Sequence, residues 1–248
     1  MMTPSVEKRH YKALIFDLNG TVVEIFKVSE YMENLKDITA VLDLNLEKFR
    51  KAWHHSWQKY PFGDYPDIHA RLDDAFEFYF EGKTPDFAQE KLDKAVKLRM
   101  DYISNQHRRI REGVLDAFKW ASEKGYKLGM ISNCSIETAM VWPSNPMAKY
   151  IPDPTFSCSV HMKKPDPKIY LHECEKLGVP PSRCIYIADG DDEEFVGAKN
   201  LGMETILVKY DEIDVYRHSP FPDSEHVIED FKQFPSIVDK IELGLSGK

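Results

Sequence analysis

Tyr11-Lys12-Ala13-Leu14-Ile15-Phe16-Asp17-Leu18-Asn19-Gly20-Thr21 decides how this chain is read. Its first half is a short, mainly apolar run that ends abruptly at a carboxylate, the pattern of a buried strand. A carboxylate at the exit of such a strand loses hydration unless it is partnered, so Asp17 marks a candidate site. Gly20 permits a tight loop close to a ligand, and Thr21 adds a hydroxyl and an N–H.

Working outward, the same arrangement recurs. Ser132-Asn133 follows the apolar run Tyr126 to Ile131, and Asp189-Gly190-Asp191-Asp192-Glu193-Glu194 follows Cys184 to Ala188. Lys164-Pro165-Asp166-Pro167 lies between them, with Asp166 as N-cap and Pro167 at the first position of a helix that Gly178 ends. The other expected elements after Arg111 are a helix over 113–124, a strand over 156–160, a helix over 193–201 and a strand over 205–208. The tail adds the short run Val227-Ile228 and a helix over 235–243. Alternation of this kind implies parallel strands joined by right-handed helical crossovers, with ligands held at the carboxyl ends of the strands.

Residues 28–111 break the alternation. Helical periodicity runs through 29–43, 46–60 and 67–80, and a fourth helix is expected from Thr84-Pro85-Asp86 to about Asn105. The expected fold is α/β, a Rossmann-like parallel sheet core flanked by helices, with an all-helical domain inserted after the first strand. Residues 1–24 and 109–248 would form the core and 25–108 the insert.

The composition excludes several classes. A formal charge of −8 over 248 residues argues against nucleic acid and anionic membrane as partners. No apolar run approaches the roughly 18 residues of a membrane span, and Met1 to His10 is too polar for a signal peptide. Cys134, Cys158, Cys174 and Cys184 include no CxxC pair and no zinc spacing, which points to reduced thiols in a cytoplasmic protein. No P-loop, GxSxG or HExxH is present.

The motifs share one chemistry. Ser132 can offer a hydroxyl and N–H to a phosphoryl oxygen, and Lys164, with Lys163 as rival, can neutralise a transferring phosphoryl group. The acidic run 189–194 suits a divalent cation, or equally an acidic helix N-terminus. In the insert, Trp53, His54, His55 and Trp57 read as a core stripe or a recognition patch. His107-Arg108-Arg109 and Arg111 read as a solvated linker or an anion-guiding patch.

In this order, the motifs resemble those of the haloacid dehalogenase superfamily, in its phosphatase-like branch with a helical cap. The most specific stretches are Met130 to Asn133, Lys164 to Tyr170 and Ile187 to Met203. The resemblance implies Mg2+ as cofactor and a small phosphorylated substrate. Asp17 would be nucleophile and metal ligand. Ser132 and Lys164, with Gly20, Thr21 and Asn133, would hold the phosphate. Asp189 and Glu194 would complete the metal site, with Glu193 as the near alternative, and residue 19 would lend its backbone carbonyl. Asn19 departs from the pattern, because phosphatase members carry an aspartate there as general acid and base. Losing that function costs about 10²–10⁴ in rate. Four readings follow: a phosphatase restricted to good leaving groups or slowed at the second step, a position engineered to Asn, a non-catalytic ligand- or protein-binding relative, or attack of Asp17 on a halide-bearing carbon. The family's dehalogenases usually carry an aromatic residue at this position and lack such an acidic cluster, which favours magnesium and phosphate.

Overall fold

A computed structural model describes residues 9–245. Its strands are β1 (Ala13–Phe16), β2 (Lys127–Ser132), β3 (Thr155–Phe156), β4 (Cys184–Ala188), β5 (Glu204–Val208) and β6 (Val227–Ile228). They form one parallel sheet in the order β3-β2-β1-β4-β5-β6. The order turns back on itself between β1 and β4, which opens a crevice at their carboxyl ends. β1 and β4 are buried along their whole length, as unbroken apolar strands of a sheet covered on both faces must be.

The helices are α1 (Val28–Leu42), α2 (Leu46–Lys59), α3 (Ile68–Tyr79), α4 (Gln89–His107), α5 (Val114–Glu123), α6 (Ile136–Val141), α7 (Ser157–Val160), α8 (Pro167–Leu177), α9 (Glu194–Asn200) and α10 (Phe234–Leu245). One face of the sheet packs on α5 and α10 through Phe118, Phe234 and Val238. The other packs on α8 and α9 through Ile169, Tyr170 and Phe195. Helices α1–α4 lie between β1 and α5 and have a core of their own, built on Leu35, Phe49, Trp53, Leu72 and Phe76. Each such side chain contributes about 1.5–3 kcal/mol on burial. Asn45 and Asp67 accept from the N–H groups of Lys48 and Ala70 and so start α2 and α3.

Two expected elements are corrected. Helix α4 begins at Gln89, not at Thr84, because Phe87 first packs on Phe76 with ring centroids 4.7 Å apart. The strand expected over 156–160 stops at Phe156. Ser157 Oγ there accepts from Cys134 N at 3.0 Å and donates to Phe62 O at 3.0 Å, and the chain coils into α7. All four cysteines are buried and free. Among the described residues no helix is long and apolar enough to cross a membrane.

Candidate active site

The sheet register assembles the site. Phe16 pairs with Met130 on β2 and with Ile187 on β4, so Asp17, Ser132 and Asp189 emerge together at three neighbouring strand ends. All three are buried. Asp17 N also donates to Ile187 O at 2.9 Å, which fixes the exit of β1 against β4.

Each carboxylate is held by named partners. Asp17 Oδ1 accepts from Lys164 Nζ at 2.5 Å, and its Oδ2 accepts from Thr21 Oγ1 at 2.8 Å. Lys164 Nζ also donates to Glu194 Oε2 at 2.6 Å, so one ammonium bridges two acids. Tyr186 OH donates to the same Glu194 oxygen at 2.8 Å, and Gly190 N donates to Oε1 at 2.9 Å. Asp189 accepts from Tyr210 OH at 2.9 Å and from Arg217 Nη1 at 2.6 Å. Asn133 clamps Lys164 from both sides: its Oδ1 accepts from Lys164 N at 2.8 Å and its Nδ2 donates to Lys164 O at 3.1 Å.

Electrostatics follow from this packing. Burial alone would lower the Lys164 pKa, but Asp17 and Glu194 hold it well above the usual lysine range. Burial, reinforced by Asp17, pushes the Asp189 and Glu194 carboxyls up despite Arg217 and Lys164. Three carboxylates therefore face two cations in a dry space. Oxygens of Asp17, Asp189 and Glu194 lie within 4.8 Å of one another. This cluster of hard oxygen donors, still short of positive charge, fits a divalent cation such as Mg2+. Glu193, the alternative to Glu194, is not part of that cluster.

The expected phosphate-holding residues, with Asn19 beside them, fall into two groups. Asn19, Ser132, Asn133 and Lys164 line a cavity of about 500 Å³ that also reaches Asp17 and Asp189. The Asn19 Oδ1 is buried there without a hydrogen-bond partner. Thr21 is fully buried, and its hydroxyl is committed within the protein, donating to Asp17 and accepting from Asp189 N at 2.9 Å. It orients the two acids rather than facing the cavity. Gly20 has φ +82°, and a Cβ there would lie 2.5 Å from Asp189 Oδ2, so the loop passes too close for any side chain.

In the helical insert, Trp53 is core, His55 stacks on Phe78 with centroids 4.3 Å apart, and His54 and Trp57 line the cavity. The basic run is only partly solvated: Arg108 is exposed, but its neighbours are engaged. His107 is buried, Arg109 pairs with Glu30 at 2.6 Å, and Arg111 pairs with Glu212 and donates to Gly20 O at 3.3 Å. Sequence reasoning missed Tyr186, whose place in a fully buried strand signalled a phenol in need of a partner. It also missed Tyr210 and Arg217, which sit in an irregular segment with no periodic signal. A third omission is Glu137 of α6, fully buried, which joins the core to the insert through Arg71 and Arg99.

Comparison with known proteins gives the family and the fold. The "Rhythmically expressed gene 2 protein" of Drosophila melanogaster is 30% identical over 46% of this chain and 43% of its own length. A glyceraldehyde 3-phosphate phosphatase of Methanopyrus kandleri is 27% identical over 42% of this chain and 46% of its own length. The alignments thus span under half the length of these curated relatives. In fold, the chain is similar to the crystal structure of a 2-haloacid dehalogenase from Pseudomonas syringae, with a TM-score of 0.65 at 17% identity, covering 93% of this chain and 99% of that one. The haloacid dehalogenase-like hydrolase family model matches residues 11–202, and with the strand-end acids in place the chain belongs to that family of hydrolases.

Proposed function

We propose that this hydrolase is a Mg2+-dependent phosphatase of a small phosphorylated metabolite, working through an aspartyl-phosphate on Asp17. The observation that carries the reading is the meeting of Asp17, Asp189 and Glu194 within 4.8 Å, beside buried Lys164. Attack on a phosphoryl group needs a carboxylate nucleophile, positive charge around the equatorial oxygens and exclusion of water. Bound Mg2+ would supply further positive charge for the phosphoryl oxygens, held by Asp17, Asp189 and Glu194.

The chain's own groups do the rest. Thr21 and Lys164 fix the Asp17 carboxylate for in-line attack. An Asp17 oxygen bonds to phosphorus as the phosphorus–oxygen bond to the leaving group breaks. Ser132 and Lys164 hold the phosphoryl oxygens. Water then attacks the aspartyl-phosphate, releasing orthophosphate and restoring Asp17. Asn19 faces the same cavity but carries no exchangeable acid proton, so the departing alkoxide takes its proton from solvent. Substrates with good leaving groups are therefore favoured. The phosphatase name of the archaeal relative supports the same class.

The test is hydrolysis of an aryl phosphate with and without Mg2+, in the native chain and in the Asp17→Asn and Asn19→Asp variants. Turnover requires Mg2+ and Asp17, and Asn19→Asp raises it little for the aryl ester but by about 10²–10⁴ for an alkyl phosphate assayed alongside. Folded protein that binds Mg2+ yet stays inert in all forms, or that releases halide from a 2-haloacid without metal, would overturn the proposal.

A further inference from the structure

The cavity has a second polar end, remote in sequence from the strand-end acids. Glu137 of α6 is fully buried, and its Oε1 accepts from Arg71 Nη1 at 2.9 Å and from Arg99 Nε at 3.1 Å. Tyr65 OH donates to the other oxygen. Two guanidinium groups thus share one carboxylate, which leaves one positive charge in excess. Arg71 is further engaged, donating from Nε to Ser56 Oγ at 3.3 Å and from Nη1 to Tyr65 OH at 2.8 Å. Arg99 lies over the rings of Tyr102, Trp53 and Tyr31, 5.4–6.0 Å from their centroids, and its side chain is 7% exposed, yet its Nη1 is buried without a hydrogen-bond partner. Tyr102, one turn along α4, has a hydroxyl in the same condition. Both residues line the cavity that holds Asp17, Ser132 and Lys164, and Ile25, Phe26 and Ile103 line it too.

A buried cationic donor is rarely left unpaired, because it forfeits hydration with nothing in return. Planar guanidinium groups match carboxylate and phosphate oxygens, and a neighbouring phenol can complete the set. We infer that Arg99 Nη1 and Tyr102 OH form an anion subsite of the substrate pocket. The substrate is then a phosphorylated small molecule with a second anionic group, separated from its phosphoryl group by a short, largely apolar spacer. This inference rests on the phosphatase reading of the strand-end site and names the substrate class for it.

The experiment measures binding, so it does not depend on turnover. The full chain, with Mg2+, is titrated calorimetrically with alkylphosphonates, with ω-phosphonocarboxylates having spacers of increasing length, and with the matching bisphosphonates. At one spacer length a second anion is expected to tighten binding by about ten-fold or more over the alkylphosphonate. The carboxylate and bisphosphonate arms tell which anion is preferred. That ratio falls toward one in Arg99→Gln and drops partway in Tyr102→Phe, which keeps the ring and the Glu137 pair intact. No gain at any spacer length in the native chain overturns the subsite, as does a gain that survives both substitutions. Failure of the simple alkylphosphonates to bind at all overturns the phosphate reading instead, and this inference with it.

Discussion

Replacing Glu137 with Gln removes one charge from the place where insert and core are joined. Burial alone would raise this carboxyl's pKa, yet Arg71 and Arg99 hold it at about 2 against an ordinary 4.5. A lowering of that size corresponds to about 3 kcal/mol of favourable coupling. The group is fully buried, so solvent screening takes little from it. Removing the charge also leaves two buried guanidinium groups uncompensated, and breaking such a pair costs about 3–5 kcal/mol. Glu137→Gln is therefore expected to destabilise the protein by about 3 kcal/mol and to lower Tm by about 6–12 °C at this chain length. The sign with pH is fixed as well. A lowered carboxyl contributes stability above its unfolded value, and this is lost as pH falls from 4.5 through 2. The gap between native and variant proteins, measured by urea unfolding across that window, should close toward acid. A gap under about 0.5 kcal/mol at neutral pH, or one unchanged down to pH 2, would refute the assignment of this ion pair as the joint between the two cores.

Two further outcomes follow from buried groups. Burial, aided by Arg99, lowers His107 to about 4 from its ordinary 6.5. Its ring should stay neutral in an NMR titration until about pH 4, and it withdraws about 3 kcal/mol of stability as pH falls from 6.5 to 4; a midpoint above pH 6 would contradict this. Gly20→Ala forces a Cβ against Asp189 at a backbone angle that alanine resists, costing about 1–3 kcal/mol. It should weaken Mg2+ binding and cut turnover at least ten-fold, and a variant with native activity would show that the loop has room to move.

Much of this architecture is legible in the sequence, and the reason is local. β4 is an unbroken apolar run, and Asp166, Pro167 and Gly178 mark both ends of α8. Where one residue carries both a local preference and a tertiary duty, the tertiary duty prevails. Phe87 delays α4 to reach the insert core, and Ser157 abandons β3 to bridge Cys134 and Phe62. The candidate site divides in the same way. Asp17, Ser132, Lys164 and Asp189 were readable because each ends or follows a recognisable element. Arg217 and Tyr210 reach Asp189 from an irregular segment after β5. Arg99 lies in a helix whose sequence gives no sign that Glu137, 38 residues away, will meet it. Long-range partnerships between single charged residues have no period to betray them.

Asn19 is best understood through the charge it does not add. Asp17, Asp189 and Glu194 already exceed Lys164 and Arg217 by one negative charge, and burial has raised two of the three acids. A fourth carboxylate at position 19 would raise that repulsion and discourage an incoming phosphate dianion, unless a cation or a proton accompanied it. Asparagine keeps the shape and the backbone of the loop while sparing the site this charge. What it gives up is proton transfer, which matters little for an acidic leaving group and greatly for an alkoxide. On the proposed mechanism, attack by Asp17 and charge stabilisation would not need residue 19, while the step that needs a proton would be left to solvent. The same division gives the cavity's other polar groups their weight: leaving-group acidity sets how fast a bound ester reacts, and recognition of a second anion by Arg99, which lines the same cavity as Asp17, would set which ester is bound.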